Sequence, residues 1–72
     1  MGNHLKLEMK KKARMIKGMV NLLQNDANYI YSDASDFDLV ALNESIPEMK
    51  DTIQKLIDYV VELEYDLYLS RK

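Results

Sequence analysis

Cysteine and tryptophan are absent from this sequence of 72 residues, and glycine, proline and histidine are scarce. Without cysteine the chain can form no disulfide, no thiolate metal site and no thiol nucleophile. The one histidine, His4, lies close to the N-terminus, and the two glycines form no loop that could cradle a phosphate. We therefore predict a protein that is not an enzyme and that has no cofactor or metal.

Long apolar runs are also missing. No stretch approaches the roughly 18 apolar residues of a membrane span, and the N-terminus lacks the apolar core of a signal peptide. These absences predict a cytoplasmic protein without membrane contacts. Abundant Lys, Asn, Asp, Ile and Tyr are typical of an AT-rich genome, such as that of a low-GC bacterium, so composition indicates a bacterial mobile-element or phage protein.

The residues that are present favour helices, because 47% are apolar, 31% are charged and little turn chemistry interrupts them. Apolar residues alternate at spacings of three and four, which predicts an all-α single domain over residues 1–72, with helices at about 4–31 and 45–69. Written as heptads, positions a and d are Met9, Ala13, Ile16, Val20, Leu23, Ala27 and Ile30 in the first helix, and Ile46, Met49, Ile53, Leu56, Val60, Leu63 and Leu67 in the second.

The two seams match in an antiparallel pairing that runs from Ile30 opposite Ile46 to Met9 opposite Leu67. The predicted fold is therefore an antiparallel two-helix hairpin with coiled-coil heptads. A chain of this length buries only about 60% of its unfolded surface, so oligomerisation is the remaining source of stability when disulfides are absent.

The segment between the helices, about 32–44, is predicted to be a long, partly helical connector. Ser45 and Glu48 form a capping-box pattern, with Pro47 in the first turn, and this pattern predicts the start of the second helix. Connections in bundles usually have two to eight residues. Both an intrachain hairpin and a swapped dimer therefore stay open.

Acidic residues in this connector have the spacing of a calcium-binding loop, from Asp33 to Glu44. Phe37 stands where a ligand oxygen is needed, and Asp38 stands where the loop needs glycine. We therefore expect these acids to cap helices and to face solvent.

Both helices carry a second apolar stripe that a two-stranded seam does not use. Burying these stripes against another copy would give a four-helix bundle, a dimer or a higher even oligomer. The same stripes could instead form a groove for another protein. The predicted self-association or partner interface comprises Met15, Met19, Leu22, Tyr29, Ile57, Val61 and Tyr68.

Charge is distributed unevenly, with six cations and one anion in residues 1–24 but four cations and eleven anions in residues 25–72. The predicted register places Lys12 opposite Glu64 and Lys10 opposite Asp66, so the clusters would offset each other. The alternative is that Lys10, Lys11, Arg14 and Lys17 contact nucleic-acid phosphates.

These observations predict a non-enzymatic interaction or regulatory module. It would be a small oligomeric helical bundle that binds itself and a larger protein partner. The alternative prediction is an accessory nucleic-acid-binding protein that uses the basic first helix.

Overall fold

Two long helices make up the fold. The computed structural model describes residues 2–71, in which α1 (Gly2–Ser35) and α2 (Leu39–Ser70) run antiparallel and pack against each other. The Cα positions extend over 53 × 14 × 13 Å, which is the shape of one rod. The prediction of an all-α two-helix hairpin is confirmed, and no strand occurs in the part of the chain that the structure describes.

The turn between the helices comprises Asp36, Phe37 and Asp38. Phe37 has a positive φ of 53°. The Asp38 N–H donates to the Asp33 carbonyl at 2.8 Å, and the Phe37 N–H donates to the Ala34 carbonyl at 3.1 Å. This is the Schellman arrangement, in which glycine usually occupies the left-handed position. The Asp38 side chain then caps α2 by accepting a hydrogen bond from the Ala41 N–H at 3.1 Å.

The long connector predicted over about 32–44 is wrong, because the helices continue through most of that segment. Ser45 is not an N-cap but lies in the second turn of α2, where its hydroxyl donates to Asp33 Oδ2 at 2.8 Å. Pro47 is inside α2. Asp38 takes over the capping role, and the added turns of α2 bring Leu42 and Ser45 against α1.

Half-buried residues mark the seam between the helices, and they alternate at spacings of three and four. The predicted d positions are confirmed, because the side chains from Met9 to Ile30 and from Met49 to Leu63 that occupy them are half-buried. The predicted a positions are wrong. Their place is taken by the preceding residue of each heptad, namely Leu5, Lys12, Met19, Asp26 and Asp33 in α1, and Ser45, Thr52, Tyr59 and Asp66 in α2.

Three polar pairs at these preceding positions explain the rotation of the seam. Lys12 Nζ lies 2.7 Å from Asp66 Oδ2, and the Thr52 hydroxyl donates to Asp26 at 2.8 Å. The pair of Ser45 and Asp33 completes the set, which we call the polar layers. Because these side chains satisfy one another, they can lie between the helices without leaving a buried polar group unpaired. The predicted register is therefore wrong by two residues, since Lys12 faces Asp66 and not Glu64.

Candidate protein-interaction surface

Because the polar layers occupy the seam, the side chains at the predicted a positions lie outside it. Five large apolar side chains at these positions are between 37% and 48% exposed, namely Val20, Ile46, Ile53, Val60 and Leu67, and Ile57 on the same side of α2 is 49% exposed. Ala13 and Ala27 are also exposed. We call these eight residues the apolar face.

The apolar face lies on one side of the hairpin. Shallow grooves on the opposite side combine Met15 of α1 with Glu62 of α2, and Leu22 with Glu48. Ala13 directly follows Lys12, and Ile53 directly follows Thr52. In two antiparallel right-handed helices, the residue that comes directly after a seam residue lies on the same side of the hairpin in both helices. The apolar face is therefore continuous across α1 and α2.

The hairpin exposes more surface than its size warrants. Its accessible surface is 5956 Å², whereas a compact monomer of 8.4 kDa exposes about 4,600 Å². No apolar side chain is buried in the described part of the chain. The excess of about 1,300 Å² is larger than the roughly 800 Å² that each partner contributes to a standard protein interface.

The seven residues of the predicted interface do not form one surface. Met19 is half-buried in the seam, and Ile57 belongs to the apolar face. Val61 and Tyr68 are exposed at 54% and 56% on α2, away from the seam, and the Tyr68 ring stacks on that of Tyr65 at 6.4 Å. Met15, Leu22 and Tyr29 form a separate line along the grooved side, which we call the outer row.

Sequence reasoning missed the exposure of the apolar face because it assigned most of these residues to the hairpin seam. A signal for the correct assignment exists in the sequence. Polar residues recur every seven positions at Ser45, Thr52 and Asp66, with Tyr59 between them, and every seven at Asp26 and Asp33. Matching these two series across the helices would have predicted the polar layers.

The turn carries a second group of exposed apolar side chains. Phe37 is 75% exposed, Leu39 57% and Val40 76%. Asp36 and Asp38 flank Phe37, so this tip of the rod is both apolar and acidic.

The cations of α1 are less well paired than predicted. Lys12 is the member that meets an acid, and the hydrogen bond to Asp66 raises its pKa, with smaller contributions from Glu62 and Glu8. The side chains of Lys10, Lys11, Arg14 and Lys17, here called the basic cluster, are exposed. Within the described residues none of the four lies in an ion pair, so the predicted contact of Lys10 with Asp66 is wrong.

Among the described residues no group of three or more His, Asp or Glu side chains could hold a metal ion. Asp33 and Asp38, from the calcium-like spacing, are used in the polar layers and in the cap of α2. Over residues 2–71, neither helix is both long enough and apolar enough to cross a membrane.

Comparison of the chain with protein-family models, with curated proteins and with solved structures gives no match. The functional argument therefore rests on the residues and geometry of the hairpin.

Proposed function

We propose that this protein is a non-enzymatic interaction module, a small helical bundle that associates with itself and binds a larger protein. The observation that carries the proposal is the apolar face, which is exposed while no apolar side chain in the described residues is buried. A surface of this kind on a soluble chain marks a protein contact. Covering it would give the fold the core that one hairpin lacks.

Self-association is tested by a substitution within the apolar face. We expect wild-type protein to scatter light as a dimer or a higher even oligomer and to be strongly helical by circular dichroism. Ile53→Lys places a charge in the contact and should give a monomer with reduced helicity. Gln54→Lys changes the neighbouring exposed residue on another face and should keep the wild-type mass. A monomeric wild-type protein would overturn the proposal.

We assign the binding of the larger partner to the outer row. Met15, Leu22 and Tyr29 are 40%, 49% and 67% exposed and lie on the grooved side, so a contact through the apolar face leaves them accessible. Glu48 and Asp51 line the groove at Leu22, which favours a partner with an apolar patch and a basic rim at that level. Leu22→Glu should abolish capture of a specific protein from a lysate of the source cells while the mass by light scattering is unchanged. Equal capture by wild type and variant would contradict this assignment.

Nucleic-acid binding is the second candidate, and the unpaired state of the basic cluster favours it. Four exposed cations on two turns of α1 could contact a phosphate backbone. Changing all four to Gln should then abolish DNA binding at physiological salt, and wild-type affinity should fall steeply with salt. The interaction module predicts no micromolar DNA binding by the wild type, so the measurement separates the two functions.

A further inference from the structure

Charge is segregated along the rod. Residues 18–60, which form the half that contains the turn, carry eight acids and two cations, a net charge of −6. The open half, residues 2–17 and 61–71, carries seven cations and four acids, a net charge of +3. The contacts of Lys12 with Asp66 and of Asp33 with Ser45 fix these segments at opposite ends.

We propose that a second copy of this chain covers the apolar face with its turn at the opposite end, related by a two-fold axis perpendicular to the helices. This inference deepens the proposed function and rests on it. In this arrangement the acidic half of each copy lies on the basic half of the other. With both turns at one end, two net charges of −6 would lie side by side, and like charges at close range oppose association.

The α1 part of the apolar face is symmetric about Val20. Ala13 precedes Val20 by seven residues and Ala27 follows it by seven. A two-fold axis through Val20 therefore sets Val20 against Val20 of the second copy and Ala13 against Ala27. Small side chains at these positions allow the two α1 helices to approach closely.

The α2 part is nearly symmetric about Ile57, since Ile53 and Ile46 precede it by four and eleven residues and Val60 and Leu67 follow it by three and ten. An axis at this level sets Ile53 near Val60 of the second copy and Ile46 near Leu67. It also brings Lys50 and Glu64, each seven residues from Ile57, into opposition across the interface. Two symmetry-related ion pairs, each between Lys50 of one copy and Glu64 of the other, would therefore flank the apolar contact.

One axis satisfies both helices, and this is the strongest support for the arrangement. The polar layers pair Lys12 with Asp66, Asp26 with Thr52 and Asp33 with Ser45. This register places Val20 at the level of Asp58, one residue from Ile57. The two centres of symmetry belong to different helices, yet they lie within two residues of each other along the rod.

The exposed surface of the rod leaves room for such a contact. The excess of about 1,300 Å² per hairpin, summed over the whole rod, is larger than the roughly 800 Å² per partner of a standard interface. The apolar face extends from Ala13 to Ala27 on α1 and from Ile46 to Leu67 on α2. A second copy of the chain is long enough to cover all of it.

The experiment measures the distance between the two turns. Because the native chain has no cysteine, Asp36→Cys carries a single spin label for pulsed electron paramagnetic resonance. The rod extends over 53 Å, so we expect a distance distribution centred at about 50 Å, whereas turns at one end would place the labels within about 25 Å. Gly18→Cys is the matched control, since a side chain there meets nothing within 4 Å. Labels near this midpoint should be close together in either arrangement.

A charge swap tests the contact independently of the label. Lys50→Glu should weaken the dimer about tenfold, and the double variant with Glu64→Lys should restore it. A short distance at position 36, or a double variant no tighter than the single one, would overturn the opposite-end arrangement while a dimeric mass keeps the interaction module. A monomeric wild type would overturn both.

Discussion

Asp66 is the most buried residue in the described part of the chain, with 5% of its surface exposed. Its partner Lys12 lies between the helices, where the ammonium donates to the carboxylate at 2.7 Å. This hydrogen bond raises the pKa of Lys12 above its ordinary value of 10.5. A pKa that is raised by folding stabilises the fold below the unfolded value, and this stabilisation is lost as the pH rises through the folded value.

We therefore predict that the melting temperature of the wild type exceeds that of Lys12→Met at pH 9 and that the difference falls above about pH 10.5. The Met variant has no ammonium to lose, so it corrects for other groups that titrate in this range. Thermal unfolding by circular dichroism from pH 9 to pH 12 measures the difference. A constant difference across this range would contradict the role of the ion pair.

Phe37 shows a second effect at the residue scale, because it adopts a φ of 53° in the Schellman turn. A left-handed backbone costs a side-chain-bearing residue about 1–2 kcal/mol, while glycine loses more entropy on folding, by roughly 0.5–1 kcal/mol. We expect Phe37→Gly to raise the free energy of unfolding by about 0.5 kcal/mol. Phe37→Ala is the control, since it removes the aromatic ring and keeps the strain, and it should give no increase in chemical denaturation.

At the scale of the helices, the sequence predicted two antiparallel amphipathic elements and half of their contacts. Ile16, Leu23 and Leu56 lie in the seam in both the predicted and the observed packing. Position d belongs to the seam whether its neighbour there is position a or the residue that precedes position a. Position a was assigned wrongly because Val20 and Ile53 are as apolar as true seam residues. Only the pairing of Lys12 with Asp66 and of Thr52 with Asp26 decides the rotation, and those pairs join residues far apart in sequence.

The start of α2 was predicted wrongly for a different reason. Ser45 and Pro47 carry the usual signals of a first turn, but Asp38 caps the helix seven residues earlier. The sequence gives little warning of this turn, since its left-handed position holds Phe37 instead of glycine. Proline in a helix interior lacks an N–H and crowds the carbonyl of the residue four positions earlier, here Asn43.

Pro47→Ala tests the extent of α2. With the helix beginning at Leu39, the substitution supplies the missing N–H for the Asn43 carbonyl and should raise the free energy of unfolding by roughly 1–3 kcal/mol. Glu48→Ala at the next exposed position is the control for helix propensity and should change stability by a few tenths of a kcal/mol at most. Denaturation of both variants gives the comparison. No gain in Pro47→Ala would place Pro47 in a first turn, where its missing N–H costs nothing.

At the scale of the molecule, contacts through the apolar face and attraction between the segregated charges respond differently to salt. Apolar contacts change little with ionic strength, whereas attraction between exposed charges is screened over about 8 Å at physiological salt. If copies pair with their turns at opposite ends, salt removes an attraction and weakens the dimer. If the turns lay at one end, salt would remove a repulsion and strengthen it.

We predict that the dissociation constant of the dimer rises about three- to tenfold between roughly 0.02 M and 0.5 M sodium chloride, measured by sedimentation equilibrium. Changing both Lys50 and Glu64 to Gln leaves the net charge at −2 but removes the two cross-interface pairs. This variant should bind more weakly at low salt and show a smaller salt dependence. The sign of the response decides between the arrangements. A dimer that tightens with salt would contradict the opposite-end arrangement, because that arrangement makes the charge contribution attractive and screening weakens an attraction.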